Sequence, residues 1–144
     1  MRLSAFGGVW EIERTITNHL DGSLSRFSGT ADFGTGPDLG RYREEGRLEL
    51  DGGTVLVATR SYRWTDATNR IDIFFDHGGY FHGFGHAEVT PLAEHLCGDD
   101  LYRVGYDFQA WPVWTATWRV EGPAKDYLMT STYRRTGQDI AIQA

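Results

Sequence analysis

Apolar side chains recur at every second position through nearly the whole chain, and almost nowhere at the roughly 3.6-residue spacing of a helix. A strand turns successive side chains to opposite faces, so this pattern commits the chain to β-structure buried on one side. Nine segments carry it: Val9–Asn18, Leu24–Phe33, Arg41–Leu50, Thr54–Trp64, Arg70–Asp76, Tyr80–Gly85, Leu101–Phe108, Val113–Glu121 and Tyr127–Arg135. Asp21-Gly22, Gly36-Pro37-Asp38, Asp51-Gly52-Gly53, His77-Gly78-Gly79 and Gly122-Pro123 separate them with turn-forming residues. Links this short make neighbours antiparallel, and an up-and-down meander of this length removes its exposed edges by closing on itself. The expectation is an all-β protein, a closed antiparallel up-and-down barrel of about nine strands. His86–Asp100 alone breaks the rhythm, and could hold a short helix around Leu92–Leu96 or an irregular strand and loop.

At 144 residues the chain fits a single domain, residues 1–144, large enough to bury a core without disulfides or metal. Eighteen glycines and twenty aromatic residues suit turns and strands respectively. A net charge of −6 with no basic run argues against nucleic acid or an anionic membrane as partner. The lone Cys97 excludes an internal disulfide framework. No window is apolar enough to span a bilayer or serve as a signal peptide, so a cytoplasmic location is expected.

Parity then exposes an anomaly. Arg14 shares a face with Trp10, Ile12 and Ile16; Glu44 with Tyr42, Leu48 and Leu50; Arg60 with Leu56, Ala58, Tyr62 and Trp64. A charge buried alone costs several kcal/mol, so these three must be paired, hydrated or matched to a bound ion. Two arginines against one glutamate leave one positive charge, among the hydroxyls of Tyr42, Tyr62, Tyr106 and Tyr133. An arginine fork with flanking hydroxyls suits a carboxylate. The favoured reading is non-covalent binding of a small, mostly apolar molecule with an acidic group. Arg14 and Arg60 would hold the acid, Glu44 would orient the arginines, and Tyr42, Tyr62, Tyr106 and Tyr133 would line the anchor. Phe75, Phe108, Trp114 and Trp118 would form the aromatic walls. The same three charges serve equally as an ion-pair network that fixes strand register. A small enzyme (decarboxylase, isomerase or cyclase) with Glu44 or a histidine as acid/base, and a purely structural barrel, are the other classes. No spacing selects a reaction, a metal or a required cofactor, and extra apolar surface on such a barrel is compatible with a homodimer. His95, Cys97, Asp99 and Asp100 form the densest reactive cluster, read as a core cysteine beside a turn.

Phe6-Gly7-Gly8-Val9-Trp10, opening the first strand, resembles the start of calycin-superfamily barrels, the lipocalins and fatty-acid-binding proteins. The resemblance implies that Trp10 packs across a closed barrel end under a basic residue of the last strand, Arg134 or Arg135. It also brings haem binding through one histidine, His82 or His95, as a further alternative. Asn18–Ser23 leaves no room for the two lid helices of fatty-acid-binding proteins, and Tyr133-Arg134-Arg135 does not reproduce their carboxylate-binding Arg-x-Tyr. Nearly the full length is also similar to a bacterial family defined only as a domain of unknown function. The stretches are Gly8-Val9-Trp10-Glu11-Ile12-Glu13-Arg14, Tyr42-Arg43-Glu44-Glu45-Gly46, His95-Leu96-Cys97-Gly98-Asp99-Asp100-Leu101-Tyr102 and Gly122-Pro123-Ala124-Lys125-Asp126-Tyr127. That similarity implies no activity.

Overall fold

A computed structural model describes residues 1–136; residues 137–144 of the expected 1–144 domain lie outside the described residues. Ten strands occur among the described residues: β1 (Val9–Asn18), β2 (Leu24–Asp32), β3 (Arg41–Glu49), β4 (Val55–Asp66), β5 (Arg70–Phe75), β6 (Tyr80–Gly85), β7 (Leu92–Cys97), β8 (Asp100–Asp107), β9 (Trp114–Glu121) and β10 (Asp126–Arg135). They form one antiparallel sheet in the order β6-β5-β4-β3-β2-β1-β10-β9-β8-β7. Every neighbour but the β1–β10 pair is consecutive in sequence, as an up-and-down meander requires. No described helix is long and apolar enough to cross a membrane.

The tenth strand corrects the expected count of nine. Leu92–Cys97, where a short helix was one expectation, pairs with β8 from Leu92↔Gly105 to Cys97↔Asp100. Its alternation is inverted. Leu92 and Leu96 are exposed, while Ala93 and His95 are only half-buried, so β7 lacks the apolar inner face that marks the other strands. Cys97 is exposed rather than a core residue.

The sheet curls into a nearly closed barrel. Its terminal strands, β6 and β7, lie beside each other without backbone pairing. Side chains bridge the seam instead: His95 of β7 lies 5.7 Å from the Phe75 ring of β5 and 5.5 Å from the Phe81 ring of β6. Curvature on the opposite wall comes from Gly29 and Gly46, which face each other across β2 and β3. A Cβ on Gly29 would meet the Glu45 carbonyl at 2.1 Å, so no side chain fits there.

One end of the barrel is plugged by a short 3-10 helix, Leu3–Phe6, and by packed aromatic rings. Trp10 is fully buried, and its Nε1 donates to the Phe6 carbonyl at 2.8 Å. Of the two basic residues expected over Trp10, it is Arg135 whose guanidinium lies 3.9 Å from the indole. That guanidinium also donates to the carbonyls of Gly7 at 2.5 Å and Ala5 at 2.7 Å, tying the last strand to the plug. Phe6, Phe33, Trp64, Phe84, Phe108 and Trp114 complete this end.

Candidate functional site

The three charges picked out by parity converge on one level of the interior. Register sets them: Glu44 of β3 stands opposite Arg60 of β4, Tyr42 opposite Tyr62, and Arg14 of β1 opposite Ser131 of β10. Arg14 and Glu44 are almost completely buried. Arg14 grips the carboxylate with both arms, Nη1 at 2.5 Å from Oε1 and Nη2 at 3.0 Å from Oε2, while its Nε donates to Ser131 Oγ at 2.7 Å. Tyr42 donates its hydroxyl proton to Glu44 Oε2. The Tyr133 hydroxyl lies 2.9 Å from that of Tyr42 and donates to it, since Tyr42 has already committed its own proton.

These contacts fix the charge states. Burial alone would raise the Glu44 pKa, but the hydrogen bonds and charge of Arg14, with the bond from Tyr42, outweigh it and hold the carboxyl below its ordinary value. Burial works against the Arg14 cation too, and the bond to Glu44 together with the Glu44 charge and the nearby Tyr133 and Tyr42 more than offsets it. The tyrosines stay protonated: burial first, then the Glu44 charge, pushes Tyr133 up to about 12, and burial raises Tyr42, Tyr62 and Tyr106 as well.

Arg60 is different. Its Nε lies 3.9 Å from Glu44 Oε1, a second claim on an oxygen that Arg14 already holds at 2.5 Å. Its side chain remains 35% exposed, and its guanidinium lies over the Trp118 ring at 5.5 Å. Arg14 and Glu44 cancel, so Arg60 carries the net positive charge of the interior.

A cavity of about 30 Å³ opens among these groups, lined by Arg14, Tyr42, Glu44, Arg60, Tyr62, Tyr106, Trp118 and Tyr133 together with Trp64, Ile73, Phe81, His82 and Ala116. That is room for roughly one or two waters, or a group of two or three heavy atoms. Eight of the eleven residues expected to form the site therefore meet. Trp114 does not; it stacks flat on the far side of Tyr133, centroids 3.8 Å apart, within the closed-end cluster. Phe108 belongs to that cluster as well, 5.8 Å from Trp114. Phe75 stands at the other end, stacked on Phe81 at 4.5 Å. The expected acid-holding role of Arg14 does not suit this geometry, because both arms of its fork are turned to Glu44.

His82, considered above only as a haem ligand, is buried beside the cavity with Nε2 2.7 Å from the Tyr106 hydroxyl. The cavity has no room for a porphyrin, and His95 packs edge-on against Phe81. His82 faces inward on the parity of Phe84, opposite buried Ile73, and the irregularity just before it turns Phe81 inward as well. Ile73 pairs with His82 but Phe74 pairs with Tyr80, so Phe81 is the extra residue of a bulge, and both Phe81 and His82 are buried. Ser131 was also missed; a small polar residue on the face of Met129 and Tyr133, opposite Arg14, was its signal.

A family model described as a family of unknown function, DUF6314, matches residues 6–135. No curated protein matches the chain. Among solved structures it is similar to the S-type phycobiliprotein lyase CPES from Guillardia theta, with a TM-score of 0.62 and 12% identity over 94% of this chain and 93% of that one. A redesigned β-barrel, mFAP1, bound to DFHBI, superposes with a TM-score of 0.44 at 12% identity, over 93% of this chain and 98% of that one. At such identity the likeness to the lyase is one of fold.

Proposed function

The chain belongs to DUF6314, a family of unknown function, and we propose that its barrel binds a small organic acid, non-covalently, with the acid group on Arg60. The observation that carries this reading is the unequal sharing of Glu44. Arg14 takes both carboxylate oxygens, leaving Arg60 as a cation with spare donors at the edge of a half-open cavity. A guanidinium in such a place gains most from a carboxylate, which it can hold with two parallel hydrogen bonds. Tyr62, Phe81 and Trp118 supply apolar walls around it, with Phe75 packed on Phe81 and Tyr102 on Trp118. An aliphatic or aromatic body suits these surfaces.

Size limits the ligand. Sites that enclose a drug-sized molecule run to roughly 300–1,000 Å³, against about 30 Å³ here. The cavity takes one end of the ligand, and the remainder lies at the mouth.

Calorimetric titration of octanoate and octanamide, which differ in charge but hardly in shape, tests the reading. Octanoate binds at least about tenfold more tightly than octanamide, the worth of one charge-assisted hydrogen bond, and Arg60→Met abolishes the difference. Equal binding of the two, or octanoate affinity unchanged by Arg60→Met, would overturn it.

A further inference from the structure

Among the described residues, two buried side-chain polar atoms lack a hydrogen-bond partner, His82 Nδ1 and Trp114 Nε1. Trp114 lies outside the cavity, behind Tyr133. His82 lines it, and its residue is 3% exposed. An unpaired polar atom in the interior costs about 1–3 kcal/mol, so a native barrel that keeps one beside a cavity is arranged for something that enters the cavity.

The hydrogen bond to Tyr106 decides what that something must be. The Tyr106 hydroxyl has no acceptor among the described residues other than His82 Nε2, 2.7 Å away. Its proton therefore points at Nε2. The imidazole is neutral: burial, with a smaller contribution from His95, lowers its pKa to about 3. A neutral ring that accepts at Nε2 carries its proton on Nδ1. The unpaired atom is thus a donor, and Arg60 on the same cavity is a donor too.

We propose that His82 is a specificity-determining residue of this cavity, selecting acids that carry a second acceptor oxygen, a keto acid being the simplest class. The carboxylate lies on Arg60 and the keto oxygen accepts from His82 Nδ1–H. An acyl end of two or three heavy atoms matches a cavity of about 30 Å³. Phe81 and Trp118 line the same cavity and supply apolar surface for the carbon chain. The inference rests on the Arg60 reading given above and adds to it a demand on the rest of the ligand.

The test compares levulinate with pentanoate, and the next two longer methyl-keto acids with their deoxygenated parents, by calorimetry. At the chain length that spans the two donors, the keto acid binds about tenfold more tightly than its parent. His82→Phe removes that difference, whereas Arg60→Met weakens both. Equal binding of keto acid and parent at all three lengths overturns the inference, as when a resident water already satisfies Nδ1–H, while the parents' dependence on Arg60 keeps the acid site itself standing. Failure of both classes to bind, or indifference of both to Arg60→Met, overturns the acid site and the inference with it. Nitrogen-15 spectra of histidine-labelled wild-type protein give a check that needs neither ligand nor variant. They show His82 protonated at Nδ1 and bare at Nε2; the opposite tautomer overturns the assignment.

Discussion

At the closed end Phe6, Trp10, Phe33, Trp64 and Trp114 fill the barrel with rings whose centroids lie 4.9–6.5 Å apart. A few residues further along the same strands, Arg14, Glu44 and Arg60 occupy equivalent inward positions beside a cavity. The walls that hold the two levels are the same, and only the inward side chains differ. Burial of apolar area supports the closed end directly. The polar level must first offset the desolvation of two charges, and it does so through three hydrogen bonds to one carboxylate. Ring packing tolerates no vacancy, whereas a polar level that leaves one cation incompletely matched is what a ligand site requires.

The comparison can be broken by substitution. Trp10→Ala removes the plug and the surface under Arg135; it should cost about 3–5 kcal/mol in urea unfolding. Trp118→Ala, half-buried at the mouth, should cost less than half of that; equal costs would mean that the two ends are packed alike. Glu44→Gln strands the Arg14 charge and should also cost about 3–5 kcal/mol. The double substitution Arg14→Met/Glu44→Leu removes both charges and should recover most of the loss. A double variant as unstable as Glu44→Gln would show that the pair, rather than the unmatched charge, supplies the stability.

His82 sharpens the contrast through pH. Its pKa is lowered by burial to about 3, against roughly 6.5 in the unfolded chain. Between those values the unfolded state binds a proton that the folded state refuses, so stability rises with pH across the window. It is fully present above about 6.5 and is lost as pH falls, by up to about 1.4 kcal/mol per pH unit. The loss of unfolding free energy between pH 7 and pH 5 should shrink in His82→Phe. An unchanged loss would place the responsible group elsewhere. Glu44, whose pKa is also held down, acts with the same sign in a lower window: its stabilisation is present above the ordinary carboxylate range and disappears as pH falls below it.

The smallest expected effect on stability is that of Arg60→Met, within about 0.5 kcal/mol, because a partly exposed ion pair contributes little. A loss of several kcal/mol would make Arg60 part of the structural network.

Period-two alternation made most of the barrel legible, since a strand fixes the face of every residue once one is known. Parity puts Arg14, Glu44 and Arg60 on apolar faces, and all three line the interior cavity. What remained hidden depended on neighbours rather than on a strand's own pattern. β7 carries leucines on its outer face and so lacked the usual signal. The bulge at Phe81 turned that ring inward beside His82 without a mark in the local sequence. Register across β3 and β4 brings Glu44 to Arg60, but only rotamers and distances showed that Arg14 of β1 takes the whole carboxylate. Trp114 shares its parity with Trp118, yet it lies one level too far toward the plug, where Tyr133 covers it.

The division of labour between the two arginines is the centre of this account, and side-chain NMR reads it directly. Titrating octanoate while following the Nε–H resonances of Arg14 and Arg60, each assigned by substitution, should move the Arg60 signal progressively and leave that of Arg14 in place. Movement of the Arg14 signal with Arg60 unaffected would contradict the account, because the carboxylate of Glu44 would then have been displaced by the ligand's own.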